Sequence, residues 1–104
     1  MTAASSAEAA RLAEMLVASR LAACVQIMPA MESVYLWQGK IERQSEVLLI
    51  AKTIGSKFAE LEREIRASHS YEVPEIIALP VMAGSATYLE WLSAAVTATC
   101  SDQT

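Results

Sequence analysis

The chain has 104 residues, a net charge of −4 and two cysteines, with a pI near 4.9. That length fits one domain, residues 1–104, and is too short for two independent cores. An acidic chain without a run of Lys or Arg repels phosphate backbones, which argues against nucleic acid as a partner. No apolar stretch approaches the roughly 18 residues that a membrane span needs.

The hydrophobic fraction of 54% and the mean hydropathy of +0.31 are high for so small a domain. Excess apolar surface predicts burial against other subunits, although alanine inflates the fraction without building patches. Cys24 and Cys100 stand far apart and in no CxxC spacing, so neither a disulfide framework nor a closed zinc site is expected. Met1 to Ala10 has no basic start followed by an apolar run, so it does not read as a signal peptide. The expected compartment is the reducing cytoplasm.

Ser5-Ser6-Ala7-Glu8 reads as a capping box. Ala9, Leu12, Ala13, Leu16 and Val17 follow at helical spacing, with Glu8, Arg11 and Glu14 facing out, which predicts a helix over about 6–19. From Ala23 to Leu36 the period shortens to two, the period of a strand. Pro29 inside that run marks an edge, a bulge or a break. Gln38-Gly39 is a tight-turn signal, and Lys40 to Thr53 is the partner strand, with the apolar run from Val47 to Ala51 expected to be buried on both faces.

Gly55-Ser56 caps a second helix over about 57–67, with Phe58, Leu61 and Ile65 inward and Glu62–Arg66 paired outside. Ser68 to Pro74 is a loop, and Glu75 to Val81 a short strand. Thr87-Tyr88-Leu89-Glu90 is a second possible capping box; it opens a last helix with Leu89, Leu92 and Val96 inward, and Cys100 to Thr104 reads as a frayed tail.

The segments Leu21-Ala22-Ala23-Cys24, Ser33 through Lys40, Glu46 through Thr53, His69 through Glu75, and Tyr88 through Leu92 together resemble the CutA divalent-cation tolerance family. The resemblance spans Thr2 to about Ala95 without an obvious gap. It implies an α+β ferredoxin-like fold, with a long β-hairpin in an antiparallel sheet, helices on one face and a compact homotrimer. It also implies tolerance of copper and other divalent metals, without established enzymatic activity, and a structural likeness to the PII signalling proteins. Relatives carry a strand before the first helix that ends at the position of Thr2, so this chain reads as nearly lacking its first strand. The 40–53 and 75–81 strands are then expected to flank an unfilled strand position about 10 Å wide, twice the usual spacing. The copper ligands of some members, a Cys and a His pair, match Met1, Ser68 and His69 here, and His69 alone is a strong ligand.

His69 is the chain's one histidine, the residue type that most readily binds borderline metals, yet a lone His before a turn is also often a loop hydrogen-bonder. Cys24 offers a soft thiolate for Cu(I) but sits among apolar residues, where a thiol is usually a small buried hydrophobe. Tyr35, Trp37, Tyr71 and Trp91 are candidates for packing, subunit contact or a ligand cleft. Glu46, Lys52, Glu72 and Glu75 are candidate site charges or loop and intersubunit charges, with Glu72 and Glu75 able to supply oxygen ligands. No nucleophile elbow, phosphate loop or HExxH pair is present, so an enzyme has no positive feature behind it.

The functional expectation is a metal-tolerance protein that binds copper, another divalent cation or a small ligand at clefts between subunits. It needs no cofactor for folding. The runner-up is a PII-like small-molecule sensor that signals to a partner without a metal role.

Overall fold

The computed structural model describes residues 1–97. Its elements are β1 (Thr2–Ala3), α1 (Ser6–Ala18), β2 (Cys24–Trp37), β3 (Lys40–Lys52), a 3₁₀ turn (Gly55–Lys57), α2 (Phe58–Ser68) and α3 (Ala86–Thr97). The expected tail from Cys100 onward lies outside the described residues. Among the described residues, no helix is long and apolar enough to cross a membrane.

The sheet is antiparallel with strand order β1-β3-β2. Hairpin β2–β3 closes through Gln38 and Gly39, both at positive φ (51° and 80°), between the pair Trp37 and Lys40. Two positive-φ residues make the tight turn whose twist matches that of the strands. Pro29 proves to mark a bulge: from Met28 to Met31 three steps along β2 oppose two along β3, and Ala30 takes φ 58°. β2 is also the sheet's edge, where a residue without an N–H costs least.

Helix α1 begins at Ser5, whose hydroxyl accepts from the Glu8 N–H at 3.1 Å. It ends where Arg20 turns left-handed (φ 60°) and the Leu21 N–H reaches back to the Leu16 carbonyl at 2.9 Å. The Arg20 guanidinium donates to the Ala95 carbonyl at 2.8 Å, tying α3 to the end of α1. Leu12 and Leu16 of α1, Leu21, Val47 and Leu49 of β3, and Leu61 and Ile65 of α2 form the core.

Several expectations are corrected. Glu8 does not face out; it is buried against the loop after α2. β3 is not buried on both faces throughout its apolar run: Val47 and Leu49 are buried, whereas Ile50 on the opposite face is 41% exposed. The cap of α3 is Ser85 rather than Thr87, since the Ser85 hydroxyl is the one facing the Tyr88 N–H. Leu89 stays 37% exposed while Leu92 and Val96 are buried.

The strand before α1 is β1, pairing Thr2 with Leu48 and Ala3 with Val47. Glu75–Val81 is not a strand, because a strand is defined by its partner and among the described residues no strand lies against this segment. Leu48–Thr53 and Glu75–Val81 instead line one common trough.

Candidate functional site

Loop 69–75 follows α2 and crosses the end of the sheet, and a second group of residues comes to it from the hairpin. Together Thr2, Ser33, Tyr35, Trp37, Glu46, Tyr71, Glu72 and Glu75 line a cleft of about 640 Å³. That volume lies within the usual range for small-ligand sites. Six of the sequence-predicted residues meet here: Tyr35, Trp37, Glu46, Tyr71, Glu72 and Glu75. Lys52 does not; it lies on the trough and donates to the Gln26 side chain across the hairpin. Trp91 lies on α3, half exposed beside Tyr88. Cys24 opens β2 opposite Lys52, partly buried and free.

His69 is the C-cap of α2, and its side chain is fully buried. A backbone N–H only donates and a carbonyl only accepts, so the two bonds of the ring fix its tautomer. Nδ1 accepts from the Tyr71 N–H at 3.0 Å, and Nε2–H donates to the Thr2 carbonyl at 2.7 Å. Both ring nitrogens are thus used inside the protein, joining β1 to the loop. Among the described residues no three His, Cys, Asp or Glu side chains converge on a point. In this geometry His69 holds the cleft wall in place and turns no lone pair to the cleft.

Glu8, invisible as a site residue in the sequence, anchors the other side of that loop. Its Oε1 accepts from the Ala4 N–H at 3.1 Å and the Ser70 hydroxyl at 3.0 Å, and its Oε2 accepts from the Ser70 N–H at 2.8 Å. Burial alone raises its pKa, but the bonds from Ala4 and Ser70 outweigh that and hold the carboxyl below its ordinary value of 4.5. The capping box read in the sequence is therefore half of a larger contact, between the start of α1 and the loop some sixty residues later.

Tyr71 donates its hydroxyl to Glu46 Oε2 at 2.7 Å, and Glu46 is buried on β3. Burial first, and then the Glu46 carboxylate, push the Tyr71 phenol well above its ordinary value of 10.0. A group whose folded pKa is raised contributes stability below its unfolded pKa and loses it as pH rises. Tyr71→Phe is expected to cost about 1.5–3 kcal/mol near neutrality, the worth of a hydrogen bond to a charged group. The difference between parent and variant should narrow as pH climbs past 10.0, measured by urea unfolding at several pH values. A difference constant with pH would show that the phenol ionises freely.

Compared with known proteins, the sequence matches the family described as CutA1 divalent ion tolerance protein over residues 1–95. The chain belongs to that family. It is 52% identical over 82 residues to the chloroplastic protein CutA of Arabidopsis thaliana, covering 79% of this chain and 45% of the relative. The chain thus spans about half the length of its plant relatives. The divalent-cation tolerance protein CutA of Thermus thermophilus is 48% identical over 88 residues, covering 84% of this chain and 85% of that one. The solved structure of the periplasmic divalent cation tolerance protein CutA of Archaeoglobus fulgidus superposes with a TM-score of 0.89 at 43% identity, over 91% of this chain and 92% of that one. Neither the family's description nor these names denote an enzyme. The relatives are named for different compartments, chloroplastic and periplasmic, so family membership does not carry the cytoplasmic expectation with it.

Proposed function

We propose that this chain is a non-catalytic divalent-cation tolerance protein that assembles as a homotrimer and binds cations in the cleft walled by the hairpin and loop 69–75. What supports the reading is membership of this family together with a cleft that Glu46, Glu72 and Glu75 all line, although their carboxylates do not converge on a single point. Carboxylate and hydroxyl oxygens suit divalent cations of many kinds, and at such a site the first-row metals rank with Cu²⁺ tightest. Copper preference then follows from the metal rather than from a dedicated histidine set. The cation enters a mouth bordered by Tyr35 and Trp37, and neighbouring subunits narrow it by packing on the exposed hairpin.

Calorimetric titration of the protein with Cu²⁺, Zn²⁺ and Mg²⁺ tests this, with Trp37 fluorescence as a second readout. Cu²⁺ should bind most tightly, and replacing both Glu72 and Glu75 with Gln should weaken it at least about tenfold, equivalent to about 1.4 kcal/mol. His69→Ala should lower thermal stability and leave the affinity of the folded protein within a few fold. Loss of copper binding in a folded His69→Ala protein, with the Gln variant unaffected, would make the imidazole the ligand and remove the carboxylate cleft from the mechanism.

A further inference from the structure

The cleft between the hairpin and loop 69–75 joins its carboxylates to an aromatic wall. Ser33, Tyr35 and Trp37 stand two apart on β2 and so share one face of the sheet. The pair Ser33–Gln44 puts Gln44 and Glu46 of β3 on that same face, and all five line the cleft. Tyr35 and Trp37 keep 39 and 43% of their surface exposed, so the aromatic wall is open to an incoming ligand. Tyr71, Glu72 and Glu75 close the opposite side, with Glu72 and Glu75 exposed at the rim.

Glu46 is the group left unanswered. It is only 7% exposed; its Oε2 accepts from the Tyr71 hydroxyl, and Oε1 has no protein hydrogen-bond partner among the described residues. Acidic side chains are almost never buried unless they are paired. Among the described residues the carboxylates of Glu8, Glu32 and Glu62 form ion pairs, whereas those of Glu46, Glu72 and Glu75 form none. No Lys, Arg or His is among the described residues that line the cleft. The negative charge there has no counter-charge from its own walls.

A single metal ion takes its oxygens at about 2.0–2.6 Å from one point, and these three carboxylates do not converge. Separated carboxylates around a cleft of about 640 Å³ match separated positive charges on one flexible chain. Protonated amines bring the N–H donors that Glu46 Oε1 lacks, and Tyr and Trp faces attract ammonium groups. A quaternary ammonium would bring the charge but no donor, and an anion would meet only repulsion. We propose that the cleft binds linear polyamines. One ammonium group donates to Glu46, the methylene chain lies along Tyr35 and Trp37, and further ammonium groups meet Glu72 and Glu75 at the rim. Polyamine binding rests on the reading of this cleft as a cation site and gives that site an organic ligand class.

Calorimetric titration of the 104-residue protein with spermidine at low ionic strength, where charge contacts are least screened, tests this. Saturable binding is expected, weakened at least about tenfold by Glu46→Gln and by Trp37→Ala. Gln keeps an acceptor for the Tyr71 hydroxyl and Trp37 is half exposed, so both variants should retain the parent's circular dichroism. Hexamethonium, which keeps the chain and charges of hexamethylenediamine without its N–H donors, should bind at least about tenfold more weakly than that diamine. Equal binding of those two, or spermidine binding unchanged in both variants, would reduce the effect to attraction by an acidic surface and overturn the proposal. A parent that binds Cu²⁺ through Glu72 and Glu75 but not spermidine would overturn it alone. A parent that binds neither would remove the cation cleft with it.

Discussion

Replacing Glu8 with Ala is expected to lower the midpoint of thermal unfolding by about 8 °C or more, from a loss of about 2–4 kcal/mol at roughly 4–8 °C per kcal/mol for a domain of this size. The buried carboxylate accepts three hydrogen bonds, and Ala leaves the Ala4 N–H, the Ser70 N–H and the Ser70 hydroxyl without it. The Arg11 guanidinium, 3.6 Å from Oε2, loses its carboxylate partner and keeps only the Ser68 carbonyl at 3.2 Å. The effect reaches beyond helix α1, because Ser70 neighbours both His69 and Tyr71, so the cleft wall loosens with it. Glu14→Ala, on the exposed face of the same helix, should change stability by no more than about 0.5 kcal/mol.

The pH dependence carries the opposite sign to that of Tyr71. A carboxyl whose folded pKa is depressed contributes stability that is complete above its unfolded value and is lost as pH falls. The gap between parent and Glu8→Ala should therefore be widest above pH 4.5 and close below it, in melts followed by circular dichroism. A Glu8→Ala melt within about 2 °C of the parent at neutral pH would show that water replaces the network at no cost.

The second large effect concerns assembly. The hairpin projects from the domain, giving the molecule a long axis of 50 Å against 28 and 23 Å. It carries Val34, Leu36 and Ile41 at 54, 70 and 75% exposure, with Leu36 and Ile41 directly opposed across the strands. Apolar side chains so exposed on an open edge strand favour pairing with another chain. The parent protein is expected to sediment as a trimer at micromolar concentration, and Leu36→Asp with Ile41→Asp as a monomer with its circular dichroism retained. These two residues lie far from the core, so an unfolded variant is not the expected outcome. A parent that sediments as a monomer would remove the trimer from the proposed function.

Much of this molecule was legible from its residues. The helical period of Leu12 and Leu16, the tight turn at Gln38-Gly39 and the core stripe Leu61–Ile65 are local signals, each set by neighbours a few residues away. They gave the elements nearly to the residue: α2, expected over about 57–67, occupies Phe58–Ser68. Pro29 announced an irregularity, and its missing N–H became a bulge. Six of the site candidates met in one cleft because the segments carrying them, the hairpin and loop 69–75, were read in the right order.

What failed in the reading depends on partners distant in sequence. Glu8 looked solvated because a helix period says which face is polar, not what lies against it. Glu75–Val81 has the alternation of a strand, but its ladder requires a neighbour that alternation does not supply. His69 has the chemistry of a ligand, and only the bonds to Thr2 and Tyr71, one of them 67 residues away along the chain, show where its nitrogens go. The sequence by itself determined the three helices, the long hairpin, their order and the family, since propensity, turn chemistry and period are short-range properties. The tertiary structure alone decided which polar groups are satisfied and which are left open, because a hydrogen bond between remote segments exists only once folding has brought both ends together.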